Sequence, residues 1–229
     1  MGECELCVIT ARVVRPGSPQ VDRLNRGHLE VAAAALEGGA RVVQLREKSL
    51  CDRALWELAR EMRRLSRRHG AVLIVNDRVD VALAVEADGV HLGQEDMPAP
   101  AARRIMGPEA IIGVSVGSVQ EACAAEREGA SYVSLGSIFP TGSKTDAGKA
   151  VGVGAIAELK HAVGLPVLAI GGINCDNVEA VIRAGADGAA VISAVAEAED
   201  MVEATRELLR RIRGARGRGD EREQVHDSA

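Results

Sequence analysis

Short apolar runs alternate with helix-length amphipathic segments along nearly the whole chain, and this alternation leaves few folds open. The runs fall at residues 6–10, 42–45, 72–75, 89–92, 111–114, 132–135, 167–170 and 189–192. Between them lie helical patterns, such as residues 52–69 with apolar positions at Leu55, Leu58, Ala59, Met62 and Leu65, and residues 119–128. Eight strands separated by helices make a parallel sheet, either doubly wound and open or closed into a barrel. An internal repeat favours the barrel. Residues 38–45 resemble residues 86–93, 129–136 and 185–192, each copy ending a helix with a small-residue turn and opening a strand. The copies fall at strands two, four, six and eight. A unit recurring on every second strand suits a barrel whose interior layers draw on alternate strands, and an open sheet gives no reason for it. The expected fold is a single α/β domain, a (β/α)8 TIM barrel over residues 1–213. Residues 214–229 are rich in Gly, Arg, Asp and Glu, and are expected to form a disordered C-terminal tail.

Composition narrows the function. Trp56, Tyr132 and Phe139 are the only aromatic residues, so the core must be aliphatic, as in a parallel sheet covered by helices. So few aromatics leave little with which to stack bases, and the net charge is -5, which together argue against a nucleic-acid partner. No apolar stretch approaches the roughly 20 residues that cross a membrane. The N-terminus lacks the basic start of a secretory signal, so the expected location is cytoplasmic. Five scattered cysteines fit that compartment, being a poor disulfide framework. Cys4 and Cys7 form a C-x-x-C pair, but it lies in the first strand and has no second pair at zinc spacing.

Barrel enzymes gather their chemistry at the carboxyl ends of the strands, and unusual polar residues recur there. Gln44, Arg46 and Lys48 end strand two at i, i+2, i+4, which sends all three side chains to one face. If that face is the interior, two cations and an amide converge at its rim, a fork and a point charge suited to phosphate oxygens. Asn76 and Asp77 follow strand three, and Gln94, Glu95 and Asp96 follow strand four. Asp77 and Asp96 thus top neighbouring strands, and paired carboxylates beside a cationic anion site are what Mg²⁺ needs to bridge protein and diphosphate. Either aspartate alone would read as a helix cap or loop residue, the role given to Asp88 and Asp187 in the repeat turns.

The second half carries another anion site. Gly171 and Gly172 follow strand seven, and Ile192 and Ser193 follow strand eight, where barrels commonly hold a monophosphate. Residues 140–148, with Thr141, Gly142, Ser143 and Lys144, form a long polar loop suited to a lid over the mouth. His91 lies mid-strand and is expected to be a hydrogen-bonded interior residue. His28, His69, His161 and His226 are expected to be solvated.

Taken in order, Gln44-x-Arg46-x-Lys48, Asn76-Asp77, His91-x-Gly93-Gln94-Glu95-Asp96, Gly113-Val114-Ser115, Gly136-x-Ile138-x-Pro140-Thr141-x-Ser143-Lys144, Ile170-Gly171-Gly172-Ile173 and Gly185-Ala186-Asp187-Gly188 closely resemble the thiamine-phosphate synthase (thiamine-phosphate pyrophosphorylase) family. The match runs from about residue 6 to residue 195. The resemblance implies a transferase that joins 4-amino-2-methyl-5-(diphosphooxymethyl)pyrimidine to a thiazole phosphate and releases diphosphate. It implies that Gln44, Arg46, Lys48 and Asn76 hold the pyrimidine diphosphate, that Asp77 and Asp96 bind Mg²⁺, and that Ser115 contacts the pyrimidine. Thr141, Gly142, Ser143, Gly172, Ile192 and Ser193 would contact the thiazole phosphate, with Lys144 gripping the diphosphate. Arg46, Lys48 and Lys144 would then be catalytic, stabilising the departing diphosphate while the thiazole nitrogen attacks the pyrimidine methylene.

Some positions depart from the family pattern. Ser143 stands where many members have threonine, and Gly117 where some have histidine. Ala11-Arg12 replaces a common Thr-Asp. The partners implied are the two small-molecule substrates, and self-association into a homo-oligomer is left open. Two other readings also stay open: a thiazole phosphate tautomerase of the same superfamily, and a non-catalytic ligand-binding barrel.

Overall fold

The computed structural model describes residues 4–11, 23–142 and 149–226. Eight strands form the barrel: β1 (Leu6–Thr10), β2 (Val42–Leu45), β3 (Val72–Asn76), β4 (Gly89–Leu92), β5 (Ile111–Val116), β6 (Tyr132–Leu135), β7 (Val167–Ile170) and β8 (Gly188–Val191). The helices around it are α1 (Arg23–Glu37), α2 (Asp52–Arg68), α3 (Val79–Ala84), α4 (Ala99–Met106), α5 (Val119–Arg127), α6 (Gly154–Ala162), α7 (Val178–Arg183), α8 (Ser193–Ala196) and α9 (Met201–His226). All strand pairs are parallel and consecutive, and β1 closes on β8 with Cys7 opposite Ala190. The expected (β/α)8 barrel is the fold found.

Strand alternation sorts the core into two layers. Val8, Val43, Leu73, Val75, Val90, Ile112 and Val133 face outward and pack under the helices. Cys7, Ile9, Val42, Ile74, Tyr132, Leu168 and Ala190 face inward and fill the barrel. Tyr132 is the one aromatic ring inside. It fits because Gly113 on β5 has no side chain, since a Cβ there would lie 2.1 Å from the ring. Cys4 and Cys7 belong to this dry filling, and burial pushes the Cys4 thiol up to about 12 and that of Cys7 well above its ordinary value. They are packing residues kept in the thiol form.

The repeat marks the floor of the barrel. Gly39, Glu86, Gly129 and Gly185 all have positive φ, so the first copy begins at Gly39, one residue later than the sequence suggested. Two positions on, a polar side chain caps the start of the preceding strand. Asp88 accepts from Leu73 N–H at 2.7 Å and from Arg63 on α2 at 2.6 Å. Ser131 accepts from Ile112 N–H at 3.0 Å and from Arg103 on α4 at 3.1 Å. Asp187 accepts from Val167 N–H and from Lys160 on α6, each at 2.7 Å. Each residue ties a strand to a helix; Asp88 and Asp187 are turn residues, as expected, but what they cap is the start of a strand and not of a helix.

Helix α9 continues through Gly214 and runs to His226. Leu208, Ile212 and Ala215 on it are buried, and Arg213 and Arg216 both pair with Glu5 below β1. One expectation is corrected. His28 is not solvated. It is fully buried on α1, held by polar partners from other elements. His69 and His161 are exposed as expected. No described helix is long and apolar enough to cross a membrane.

Candidate active site

The carboxyl ends of the strands surround a cavity of about 460 Å³. Its walls follow from the alternation that built the core. Val42 points inward, so Gln44 and Arg46 in phase with it do too, and Ile74 carries Asn76 inward in the same way. β3 and β5 therefore extend one and two residues beyond their apolar runs, because Asn76 and Ser115 are rim residues still paired in the sheet.

The first wall is charged. Arg46, Lys48, Asn76, Asp77 and Asp96 all line the cavity. Gln44 lies just below, nearly fully buried, and its Oε1 accepts no hydrogen bond among the described residues. Asp77 has φ 62°, a left-handed conformation uncommon for a residue with a side chain. Its N–H donates to the His91 carbonyl at 2.8 Å, which fixes the chain there. Asp96 is aimed by Gly93, whose N–H donates to Oδ2 at 2.6 Å.

Burial raises Asp77 to about 6, and a hydrogen bond with Asp96 and the charge of Asp96 push the same way, against Lys48 and Arg46. Lys48 Nζ lies 3.7 Å from Asp77 Oδ2, too far for a strong pair. Two carboxyl groups are thus held together with less cationic charge than they need.

A polar column runs down from the mouth. Ser115 Oγ lies 2.9 Å from His91 Nε2, and His91 Nδ1 lies 2.9 Å from the Tyr132 hydroxyl. His91 is the hydrogen-bonded interior residue expected, though it also reaches the cavity wall. Gln94 donates to the Ser115 carbonyl at 2.7 Å.

The opposite wall is uncharged and mostly small: Thr141, Gly171, Gly172 and Ser193, with Ile192 beside them. Gly171 and Gly172 both have positive φ, and the loop after β6 rests on them. A Cβ on Gly171 would lie 2.0 Å from Ser137 Oγ, and one on Gly172 2.6 Å from the Pro140 carbonyl. Ile138 and Phe139 donate their N–H groups to the carbonyls of Ile170 and Gly171 at 2.9 and 3.0 Å. The glycine pair therefore seats the loop stem as well as opening backbone to the cavity. Gly142 is exposed and does not line the cavity, and Ser143 and Lys144 lie outside the described residues.

Three wall residues escaped the sequence reading. Ser134 is in phase with inward Tyr132, and strand period alone would have found it. Ser137 gives no such signal. Glu121 belongs to a Ser118-x-x-Glu121 capping box, in which Ser118 Oγ accepts from Glu121 N–H and Glu121 accepts from Gly117 N–H. That carboxylate stabilises the start of α5.

The family model for thiamine monophosphate synthase matches residues 15–195. The chain belongs to that family. A thiamine-phosphate synthase of Moorella thermoacetica is 54% identical over 193 residues, covering 84% of this chain and 92% of that protein. One from Methanospirillum hungatei is 48% identical over 206 residues, covering 90% and 96%. The solved structure of a thiamine phosphate pyrophosphorylase from Pyrococcus furiosus superposes with a TM-score of 0.82 at 43% identity, covering 93% of this chain and 98% of that one. The thiamine monophosphate synthase match thus takes in both walls of the mouth.

Proposed function

We propose that this barrel is a thiamine-phosphate synthase: it couples 4-amino-2-methyl-5-(diphosphooxymethyl)pyrimidine with a thiazole phosphate and releases diphosphate. The observation that carries the assignment of roles is the convergence of Arg46, Lys48, Asp77 and Asp96 on one cavity, facing a wall of small residues. The charged wall takes the diphosphate and the small-residue wall takes the monophosphate. Each charge on a substrate then has a matching surface.

The donor set fits Mg²⁺. Among the described residues no cluster of three or more His, Cys, Asp or Glu side chains forms, which disfavours a metal caged by protein alone. A pair of carboxylates is what Mg²⁺ takes when substrate phosphate and water complete its shell. Asp77 and Asp96 would hold it, and it would supply positive charge that stabilises the departing diphosphate. Arg46 grips those oxygens with its fork and Lys48 adds a second cation.

The C–O bond between the pyrimidine methylene and the diphosphate breaks with its electron pair leaving on oxygen. The ring amino group delocalises the charge left behind, and the thiazole nitrogen closes the new C–N bond. No side chain is needed as nucleophile, so Ser115 and Asn76 position the pyrimidine and Gln44 offers a buried acceptor below it. Thr141, Gly172, Ile192 and Ser193 hold the thiazole phosphate opposite, with Gly142, Ser143 and Lys144 contributing from the loop.

A tautomerase would need the small-residue wall and a proton-transfer group but not this cation–carboxylate pairing, which favours the synthase. The test is a coupling assay on the purified chain with both substrates, with and without Mg²⁺. Diphosphate release that requires Mg²⁺ and the thiazole phosphate together supports the reading. Full activity in an Asp77→Ala, Asp96→Ala double variant would overturn the metal assignment.

A further inference from the structure

Glu47 stands between the two cations of the charged wall and faces away from them. Arg46 and Lys48 are in phase with the inward strand positions, so Glu47, one residue from each, follows Leu45 to the outer side. Its side chain is only 2% exposed there and meets His28 from α1, whose own side chain is wholly buried. His28 Nε2 lies 3.1 Å from Glu47 Oε2, and His28 Nδ1 lies 2.7 Å from Thr10 Oγ1 at the end of β1. The other carboxylate oxygen, Oε1, accepts from Ser49 N–H at 2.6 Å and from the Ser49 hydroxyl at 2.5 Å. Thr10 Oγ1 also reaches the Gln44 carbonyl at 3.3 Å. A carboxylate can only accept while ionised, so Nε2 carries a hydrogen and donates to Glu47.

The geometry points to His28 as a positioning residue for the diphosphate cradle, acting through Glu47 on the aim of Arg46 and Lys48. This rests on the reading that those two cations hold the diphosphate. A buried acidic side chain needs partners, and His28 and Ser49 occupy both of its oxygens. Held that way, it cannot swing round to neutralise the guanidinium or ammonium next to it. Arg46 and Lys48 line the cavity on either side of Glu47, so holding residue 47 outward limits how the backbone that carries both cations can turn. Thr10 completes the device by holding the far side of the imidazole, so β1, α1 and the segment after β2 are clamped at one point. His28 does not line the cavity, and it reaches the charged wall but not the opposite one, so its effect falls on the pyrimidine diphosphate.

The experiment uses the full chain with Mg²⁺, varying each substrate at saturation of the other. His28→Ala is expected to raise KM for the pyrimidine diphosphate about tenfold. KM for the thiazole phosphate should stay within about twofold, because the opposite wall does not depend on Glu47. Thr10→Val, which keeps shape and loses the hydroxyl, should move the same KM in the same direction by less. His28→Gln, whose amide N–H can still reach Glu47, should recover most of the loss. If His28→Ala fails to fold, the Thr10→Val and His28→Gln pair carries the test. Equal changes in both KM values would mean general loosening and would overturn the proposal. So would an unchanged pyrimidine-diphosphate KM while an Arg46→Ala control raises it. If Arg46→Ala leaves that KM unmoved as well, the placement of the diphosphate itself fails, and the proposal falls with it.

Discussion

At the floor of the barrel, Asp88 accepts from the Leu73 N–H and takes both Arg63 Nη groups, at 2.6 and 3.0 Å. Asp187 is met in the same way by the Val167 N–H and Lys160. At the mouth, Asp77 shares a hydrogen bond with another carboxylate, has the Lys48 ammonium 3.7 Å away, and is pushed up to about 6 chiefly by burial. The same side chain thus serves two ends of one molecule differently. Floor aspartates are satisfied within the fold and hold strand to helix. Mouth aspartates are left short of positive charge, which is what a site must be if a cation arriving with substrate is to bind there. Under the proposed metal role, charge balance is what separates the two pairs of aspartates.

The largest expected effect comes from Asp77→Asn, because asparagine also tolerates the left-handed backbone at that position. Coupling activity should fall roughly 10²–10³-fold as a charged ligand to the cation is lost. The melting temperature of the substrate-free protein should rise by roughly 2–5 °C, since the ionised carboxylate there costs the fold stability. Activity assays and thermal melts on the same preparation check both halves. A variant that loses stability along with activity would break the contrast between mouth and floor.

Asp88→Ala is the opposite substitution. It strands the Leu73 N–H and leaves Arg63 without its carboxylate partner, at a cost of about 2 kcal/mol. For a domain of this size that lowers the melting temperature by roughly 4–8 °C. At a temperature well below the melt, KM and kcat should stay close to wild type, because Asp88 lies at the far end of the strands from the cavity. Denaturant titration and steady-state kinetics measure the two sides.

How far these features could be read in advance follows from what each depends on. Strand positions depend on local apolar runs, and five of the eight came out with matching ends. β8 begins one residue earlier than expected, at Gly188, because that glycine lies under Cys4, whose carbonyl would be 2.1 Å from a Cβ. The i, i+2, i+4 spacing put Gln44, Arg46 and Lys48 on the interior face, and phase with Val42 agrees. His28 was unreadable because its burial is decided by Thr10 and Glu47, residues distant in sequence and brought to it only by the closed barrel. The anchoring of α9 around Gly214 was unreadable for a similar reason: Arg213 and Arg216 meet Glu5, more than 200 residues earlier in the chain, only because the barrel brings the two ends together.

pH sharpens the comparison further. The folded pKa of Asp77 is about 6, above its ordinary value of 3.8, so the folded state binds more protons than the unfolded one between those limits. Its penalty on stability is therefore full above pH 6 and shrinks as pH falls toward about 4. The melting-temperature advantage of Asp77→Asn should accordingly be greatest near pH 8 and should close by pH 4. Melts of the wild-type and Asp77→Asn proteins from pH 8 to pH 4 give the comparison directly.

The smallest effect expected is at Glu86. Three copies of the floor turn place glycine at the positive-φ position, and this one places glutamate, at φ 54°. A left-handed residue with a Cβ costs about 1 kcal/mol. Glu86→Gly removes that cost but gives the unfolded chain more freedom, worth roughly 0.4–1 kcal/mol the other way. It also deletes a 2.7 Å pair with Arg67, both side chains being largely exposed, so little is lost there. The net change should lie within about 1 kcal/mol of zero, with activity unchanged. A loss well beyond that would mean Glu86 belongs with Asp88 and Asp187 among the floor residues that hold helix to strand. The floor would then rest on a charged side chain at a position where its other copies carry glycine.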